Sequence, residues 1–396
     1  MSIKCDSKLL VKPLFFLVIV DTINGFFLNK GMESSIGIIF KAFILSVAFK
    51  ILCSSPRFKG LLFFTVIYIP AFLLLVILNT DSQIVPTINH LLKFVNVVFI
   101  YYAAVVVFKS ESIQEKDIQV IFYINSIVLL LNIYSGLLGV GYYAYAHNEM
   151  SGMQAVLYGV SYYFIYNRYV TKKIILLVVN LLFLIAALLV TTKAGILLVL
   201  TSLILVPFVH MKYGIFRSFL KMSKIKLIVL LSIICVVSYC GYALLEYSGA
   251  IDRWTYFFDK DGVNAIYSSR DTFWEEERVE WEEGNIVVKL FGMGGARTVE
   301  MDQADTLLNY GIVGLIIVYS FYFSLIVKAF RYREKSQYAK FVFGMDIFIL
   351  AASCFAGHLL FSGLMGIPFA LMNALIFSPK MQAASNMENR YCNCRN

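Results

Sequence analysis

The sequence predicts an all-α, polytopic membrane protein, and two observations carry that prediction. The chain of 396 residues is 60% hydrophobic and only 15% charged, whereas about a quarter of a soluble domain is charged. Apolar runs of roughly 18 residues or more, the length at which a helix spans a bilayer, recur from end to end. The mean hydropathy of +0.76 agrees with this class.

About twelve transmembrane helices are predicted from these runs. The first run lacks a small-residue cleavage site and is followed by further runs, so it is predicted to be a retained helix rather than a signal peptide. The last two runs are also compatible with one bent hairpin. The predicted spans are 9–28, 35–53, 60–78, 88–108, 118–140, 152–168, 174–190, 194–210, 226–245, 306–327, 341–358 and 360–377.

Lys and Arg in the loops predict that both termini are cytoplasmic. With that orientation the cytoplasmic segments hold 23 Lys and Arg, and the short outer loops hold only Lys30 and Lys193. Basic residues concentrate on the cytoplasmic side of membrane proteins. The same bias accounts for the net charge of +9, so nucleic acid is not predicted as a partner.

One connection is long, and it divides the chain into three parts. Residues 1–245 hold nine predicted spans, residues 246–305 form a large periplasmic loop, and residues 306–396 hold three spans and a cytoplasmic tail. The loop carries six Lys and Arg and fourteen Asp and Glu. Its acidity does not oppose export, because long loops cross largely regardless of charge.

A charged, aromatic stretch in this loop, SSRDTFWEEERVEWEEG, predicts a helix over about 269–283. Ser268 and Asp271 have the spacing of a capping box. At about 100° per residue, Arg270, Trp274 and Trp281 share one face with Arg278 and Glu277. Guanidinium groups bind phosphate and indoles stack on sugar rings, so this face suits a ligand with both. The alternative is an amphipathic helix that rests on the bilayer surface.

The segment from Lys289 to Phe321 contains a glycine turn and then the start of a span. Gly292, Gly294 and the neighbouring Gly295 would let backbone N–H groups approach a ligand closely. Arg297 and Asp305 follow, and then Tyr310-Gly311 and Gly314. The alternatives are a simple turn and glycines that allow close helix packing.

Together these features resemble the superfamily of O-antigen polymerases and O-antigen ligases, which are bacterial membrane glycosyltransferases. The similarity covers roughly residues 190–320 and includes a second match at Thr191-Thr192-Lys193-Ala194-Gly195; elsewhere it rests on hydropathy. The ligase branch commonly has His where this chain has Asp305. That departure favours a Wzy-type polymerase of O-antigen or capsular repeat units.

The resemblance implies a reaction at the periplasmic face of the bacterial inner membrane. A glycan on polyprenyl diphosphate would be transferred onto a second lipid-linked repeat unit, with a chain-length regulator as a further partner. Lys193, Arg270 and Arg297 would bind the diphosphate. Asp305, or else His358, would accept the proton of the acceptor hydroxyl.

Four residues are candidates for binding the glycan: Trp274, Trp281, His147 and Tyr145. The last two lie in the aromatic stretch GYYAYAHNEMSG, which is also typical of an interfacial tyrosine belt. No cofactor and no metal are predicted, since the chain lacks HExxH, Walker-type and Cys/His zinc motifs. The Asp-x-Asp spacing at 259–262 is better explained by an Asp-Gly turn.

Each proposed role has a structural alternative. Lys193 can snorkel to headgroups, Asp305 can cap its helix, and His358 can be a packing histidine. At the level of the whole protein, a ligase or a flippase or transporter of lipid-linked oligosaccharides is the alternative. The single large loop breaks the two-halves symmetry of many transporters, and the lysines within spans, Lys41, Lys50 and Lys93, have no obvious acidic partner in their own spans.

Overall fold

The computed structural model of the chain describes residues 3–30, 35–55, 84–110, 115–137, 147–190, 192–210, 249–262, 270–294 and 297–379, with a few single residues between these ranges. Within them the chain is helical and no strand occurs. The helices are α1 (Ile3–Val11), α2 (Leu17–Asn29), α3 (Ile36–Cys53), α4 (Ile84–Lys109), α5 (Glu115–Leu137), α6 (His147–Tyr169), α7 (Lys173–Val190), α8 (Lys193–His210), α9 (Ala250–Asp261), α10 (Arg270–Glu283), α11 (Ile286–Phe291), α12 (Asp302–Tyr332), α13 (Gln337–Ser353) and α14 (Gly366–Ala374).

Seven helical segments among the described residues are long and apolar enough to cross a membrane. The first combines most of α1 and α2 through the 3₁₀ turn Lys12–Phe16. The seven are Ser7–Phe27, Ile36–Cys53, Val85–Lys109, Glu115–Tyr134, Lys173–Val190, Lys193–His210 and Asp302–Tyr332. The all-α class is therefore confirmed, and the helices are those of a multi-pass membrane protein.

The predicted count of twelve spans is not confirmed. Spans 60–78 and 226–245 lie almost entirely outside the described residues. Span 152–168 forms α6, which is too polar to count as a membrane span by its own composition. Toward the C-terminus, α13 has 17 residues and α14 only nine, because residues 354–365 form turns where the sequence suggested helix.

Helix α6 is the centre of the bundle. Every residue from Met150 to Phe164 is buried, and the helix packs most extensively against α8 and also against α5, α7 and α14. Small residues allow the close approach: a Cβ on Gly159 would lie 2.9 Å from the Cβ of Ser202 on α8. A central helix needs no apolar surface toward lipid, which explains its polar composition.

Side-chain contacts join the region of α6 to that of α8 in two sets, one at each end of the helices. In one set, Ser151 Oγ at the start of α6 lies 2.6 Å from Thr192 Oγ1, next to α8. In the other, His210 Nε2 at the end of α8 lies 2.5 Å from Asn167 Oδ1 near the end of α6. Helices α6 and α8 therefore run in the same direction, with their starts at one end of the bundle and their ends at the other. The loop charges predict that the starts lie on the periplasmic side.

Helix α12 is discontinuous. Its residue Gly311 has φ 65° and ψ −167°, which separates a first part, Asp302–Tyr310, from a second part that continues to Tyr332. The first part contributes Ala304 and Leu308 to a small apolar cluster, whose other members are Val288, Met293 and Val299. This cluster joins the end of the predicted periplasmic loop to the membrane helices.

Candidate functional site

Helix α10 is the predicted amphipathic helix, and its observed bounds, Arg270–Glu283, agree with the predicted 269–283. Both indoles, Trp274 and Trp281, pack against the small apolar cluster. Trp274 also borders an open apolar groove of about 550 Å³ along α12. Arg278 pairs instead with Glu275 and Glu282 on its own helix, so the predicted face is divided between protein contacts and solvent.

Arg270 ties α10 to the turns that follow α13. Its side chain is 12% exposed, and its Nη2 lies 3.1 Å from the Glu300 carboxylate. Its Nη1 donates a hydrogen bond of 2.8 Å to the carbonyl oxygen of Phe355. Its Nε is buried and has no hydrogen-bond partner among the described residues. The guanidinium group is thus held by the protein, and its Nε–H remains as a donor.

Arg297 forms ion pairs with two carboxylates of α10. Its Nη1 lies 2.5 Å from Glu277 and 2.6 Å from Glu280. Burial alone lowers the pKa of Arg297, but the hydrogen bonds and charges of both glutamates outweigh this effect and raise it. The sequence predicts that Arg297 binds diphosphate, and in this structure its guanidinium group forms ion pairs with the two glutamates.

The glycine turn closes onto the break in α12. Gly292 and Gly294 have φ values of 85° and 67°, which glycine adopts without strain. A Cβ on Gly292 would overlap the backbone of Asn309, and a Cβ on Gly311 would overlap the backbone of Leu290. The close backbone approach predicted for this turn is made to α12, as in the alternative of packing glycines.

Polar side chains in the first turns of α12 form hydrogen bonds with backbone groups. Asp305 Oδ1 accepts a hydrogen bond from the N–H of Val299. Asp305 is buried, with only 3% of its surface exposed. Asn309 accepts from the N–H of Arg297 and donates to its carbonyl. Asp305 lies close enough to Glu300, Asp302 and Arg270 for their charges to interact.

Asp302 is the residue that the sequence reasoning missed at this end of α12. Its carboxylate accepts hydrogen bonds from the N–H groups of His358, Leu359 and Leu360 at 2.8, 3.0 and 2.8 Å. His358 has a positive φ of 64°, which is uncommon for a residue other than glycine. The three N–H groups face a carboxylate instead of a preceding helical turn, which explains why the helix expected from 360 begins only at Gly366.

His358 lies close to a second histidine. The ring of His90 on α4 stacks on Phe361 at 4.6 Å between ring centres, and its Nδ1 lies 2.6 Å from the hydroxyl of Tyr310. Lys93 and His358 lie near enough to the His90 ring to act on it electrostatically. The structure therefore brings Arg270, Asp305 and His358 to one end of the bundle.

The other predicted residues lie elsewhere or outside the description. Lys193 begins α8, and its Nζ lies 5.6 Å from the ring centre of Phe258 on α9. His147 begins α6, but its side chain is outside the described part, as is Tyr145 altogether. Across the described ranges, no three His, Cys, Asp or Glu residues are arranged to hold a metal ion.

A cavity of about 330 Å³ with polar side chains in a mostly apolar lining lies between α2, α3, α4 and the start of α14, and we name it the lysine cavity. Two membrane-embedded lysines, Lys41 and Lys93, line it. Lys41 Nζ forms an ion pair of 2.9 Å with Asp21 of α2, so its partner comes from the adjoining span. The other residues that line the lysine cavity are Asn24, Gly37, Ile38, Ala42, Leu45, Asn89, Leu92, Asn96, Ser362, Gly363, Gly366 and Ile367.

Comparisons with known proteins add no family to this description. No family model matches the chain, no curated protein matches it, and no solved structure matches it. The fold and the helices define the class, a multi-pass helical membrane protein.

Proposed function

We propose that the protein is a membrane glycosyltransferase of the O-antigen polymerase type. It would transfer a glycan chain from polyprenyl diphosphate onto a lipid-linked repeat unit at the periplasmic face of the bacterial inner membrane. The observation that supports this most is the assembly of Arg270, Glu300, Asp302, Asp305 and His358 at one end of the bundle. Ionisable groups buried within a membrane protein are costly, so a cluster of them is a candidate for binding or catalysis.

The proposed reaction needs a cation and a base. The acceptor hydroxyl oxygen attacks the anomeric carbon, the bond to the diphosphate oxygen breaks, and the diphosphate leaves with the electron pair. Arg270 is the first candidate to meet that charge. A diphosphate would replace Glu300 as the partner of Nη2, and the remaining Nε–H adds a second donor. Arg297 and Lys193 are the further candidates for diphosphate binding.

Exposure separates the two candidate bases. Asp305 is 3% exposed and binds the N–H of Val299, whereas His358 is half-buried. Its positive φ of 64° is the kind of backbone strain that concentrates at functional sites. We therefore rank His358 before Asp305 as the group that accepts the hydroxyl proton, which reverses the order that the sequence suggested.

Two variants test this ranking in a purified assay with lipid-linked repeat units. His358→Asn keeps a residue type that tolerates positive φ and keeps the N–H that Asp302 binds, but it removes the base. Asp305→Asn keeps an oxygen for Val299. Polymerisation should fall by roughly a hundredfold or more in His358→Asn and far less in Asp305→Asn. The reverse result would return the role to Asp305, and full activity in both would exclude this mechanism.

The function itself is tested by the lipid-linked glycans of a strain that lacks the protein. Loss of long chains with single units still exported is the expected result for a polymerase. Full-length polymer that accumulates on the lipid carrier would instead identify a ligase, and units trapped in the cytoplasm would identify a flippase.

A transporter is the second candidate, and two observations favour it. Helix α12 is broken at Gly311, and discontinuous helices form the binding sites of many transporters. In addition, Lys41 does have an acidic partner, Asp21, on the neighbouring span. The absence of such a partner within its own span therefore no longer argues against transport.

A further inference from the structure

The lysine cavity is lined in part by exposed apolar side chains. Its rim includes Ile38 and Leu92, which are 64% and 41% exposed, as lipid-facing side chains of α3 and α4 are expected to be. The polar groups Lys41, Lys93 and Asn96 also line it. A ligand can thus enter from the membrane plane and meet amide and ammonium groups inside.

An apolar groove of about 390 Å³ continues from this cavity along α3 and α4. The two spaces share Leu45 and Leu92 as lining residues. Among the described residues, the others that line the groove are apolar except for one serine: Ser46, Phe49, Ile69, Ile88, Leu91, Val95 and Phe99. A space that contains two lysines and an apolar groove are therefore joined side by side.

The two spaces lie beside each other along α3 and α4. On α3, Lys41 lies five residues after the start of the helix at Ile36, about 8 Å along the axis at 1.5 Å per residue, and the groove reaches Phe49, about 12 Å further along. On α4 the groove is lined from Ile88 to Phe99 and the cavity from Asn89 to Asn96, so the two spaces overlap along this helix. A lipid whose headgroup meets the lysines can therefore place a hydrocarbon chain in the groove.

From this arrangement we propose that the site binds a membrane lipid with a phosphate or diphosphate headgroup. The headgroup occupies the lysine cavity and one hydrocarbon chain occupies the groove. Ammonium groups form charge-assisted hydrogen bonds with phosphate oxygens. Lys41 has three N–H donors, so its ion pair with Asp21 leaves donors for a ligand.

The neutral lining suits the same ligand. The amides of Asn24, Asn89 and Asn96 and the hydroxyl of Ser362 can bind oxygen atoms attached to the phosphate. Asn96 Oδ1 is buried and makes no hydrogen bond within the described part of the chain, which leaves an acceptor for a hydroxyl group of the headgroup. The inference does not depend on the proposed function, since an enzyme and a transporter can both hold such a lipid.

Binding to the purified full-length protein in detergent tests the proposal with four probes. Geranylgeranyl diphosphate has head and chain, geranylgeraniol has only the chain, inorganic diphosphate has only the head, and phosphatidylglycerol is the phospholipid. We expect geranylgeranyl diphosphate to bind more tightly than either fragment. Lys93→Gln should weaken it roughly tenfold or more, the size of one charge-assisted hydrogen bond, and Lys93→Arg should bind better than Lys93→Gln.

Matched variants separate binding from folding. Lys50→Gln changes a lysine of the same helix α3 that does not line the cavity, and it should bind normally. Ser46→Phe fills the groove at an exposed position and should weaken geranylgeranyl diphosphate but not inorganic diphosphate. A thermal unfolding midpoint equal to that of the unchanged protein qualifies each variant for comparison.

Two results would overturn the proposal. One is equal affinity for geranylgeraniol and geranylgeranyl diphosphate. The other is undiminished binding in a folded triple variant with Lys41→Gln, Lys93→Gln and Asp21→Asn. Lysine-dependent competition by phosphatidylglycerol supports the site and identifies its lipid as a phospholipid. Absence of that competition, with geranylgeranyl diphosphate still bound, supports the site and identifies a polyprenyl lipid.

Discussion

Asp302 holds the turn between α13 and α14, and its replacement by asparagine tests that role. Its Oδ1 accepts from the N–H of His358, and its Oδ2 accepts from Leu359 and Leu360. Asp302→Asn keeps the size of the side chain but turns one acceptor atom into an NH₂ donor. At least one of the three N–H groups must then face another donor.

The cost follows from the burial of these groups. Leu359 and Leu360 are 2% and 1% exposed, so water cannot replace a lost acceptor. A buried N–H without an acceptor costs about 1–3 kcal/mol. We expect Asp302→Asn to destabilise the turn by about this amount, and Asp302→Ala to cost more because it removes all acceptors.

Hydrogen exchange of the purified protein, followed by mass spectrometry, measures this directly. Exchange in a peptide that covers residues 355–361 should accelerate roughly fivefold to a hundredfold in Asp302→Asn, the range that corresponds to 1–3 kcal/mol. Asp305→Asn is the matched control, because Asp305 binds only the N–H of Val299 near this site and its amide oxygen can still do so. Unchanged exchange in Asp302→Asn would refute the role given to the carboxylate.

Two further predictions concern stability. Gly311→Ala should reduce the thermal stability of the purified protein far more than Gly249→Ala, since both glycines have positive φ but only a Cβ on Gly311 would overlap backbone, that of Leu290; equal losses would contradict the close approach. The single changes Lys41→Gln and Asp21→Asn should each destabilise the protein, while the double change should cost less than their sum by about 1 kcal/mol or more, measured as a double-mutant cycle; strict additivity would mean that the ion pair contributes nothing.

Features that depend on local sequence could be predicted well. The bounds of α10 agree with the predicted helix because its start and its periodicity are encoded within the segment itself. The apolar spans such as α3 and α7 were also predicted, since length and hydropathy are sufficient for them. Helix α6 was found by its weaker hydropathy, but its central position was not, because burial depends on the other helices.

Partners distant in sequence could not be predicted. Arg270 binds a carbonyl 85 residues away and Asp302 binds N–H groups 56 to 58 residues away, and no periodicity encodes such pairs. Hydropathy predicts helix where the turns at 354–365 occur, because the residues of this segment, CFAGHLLFSGLM, are mostly apolar. Hydropathy averages over a window and cannot detect a carboxylate from another helix that captures the backbone there.

The first part of α12 connects the break at Gly311 with the turn at 355–361, because it makes contacts at both of its ends. Gly292 packs on the backbone at Asn309, just before the break, while Asp302 at the start of the same half-helix binds the turn. Arg270 binds the other side of that turn through Phe355. Since Arg270 and Asp302 both contact backbone atoms, they fix the position of the turn without using the side chain of His358. Arg270 of α10 and Asp302 of α12 thus hold from two sides the turn that carries the proposed base, His358.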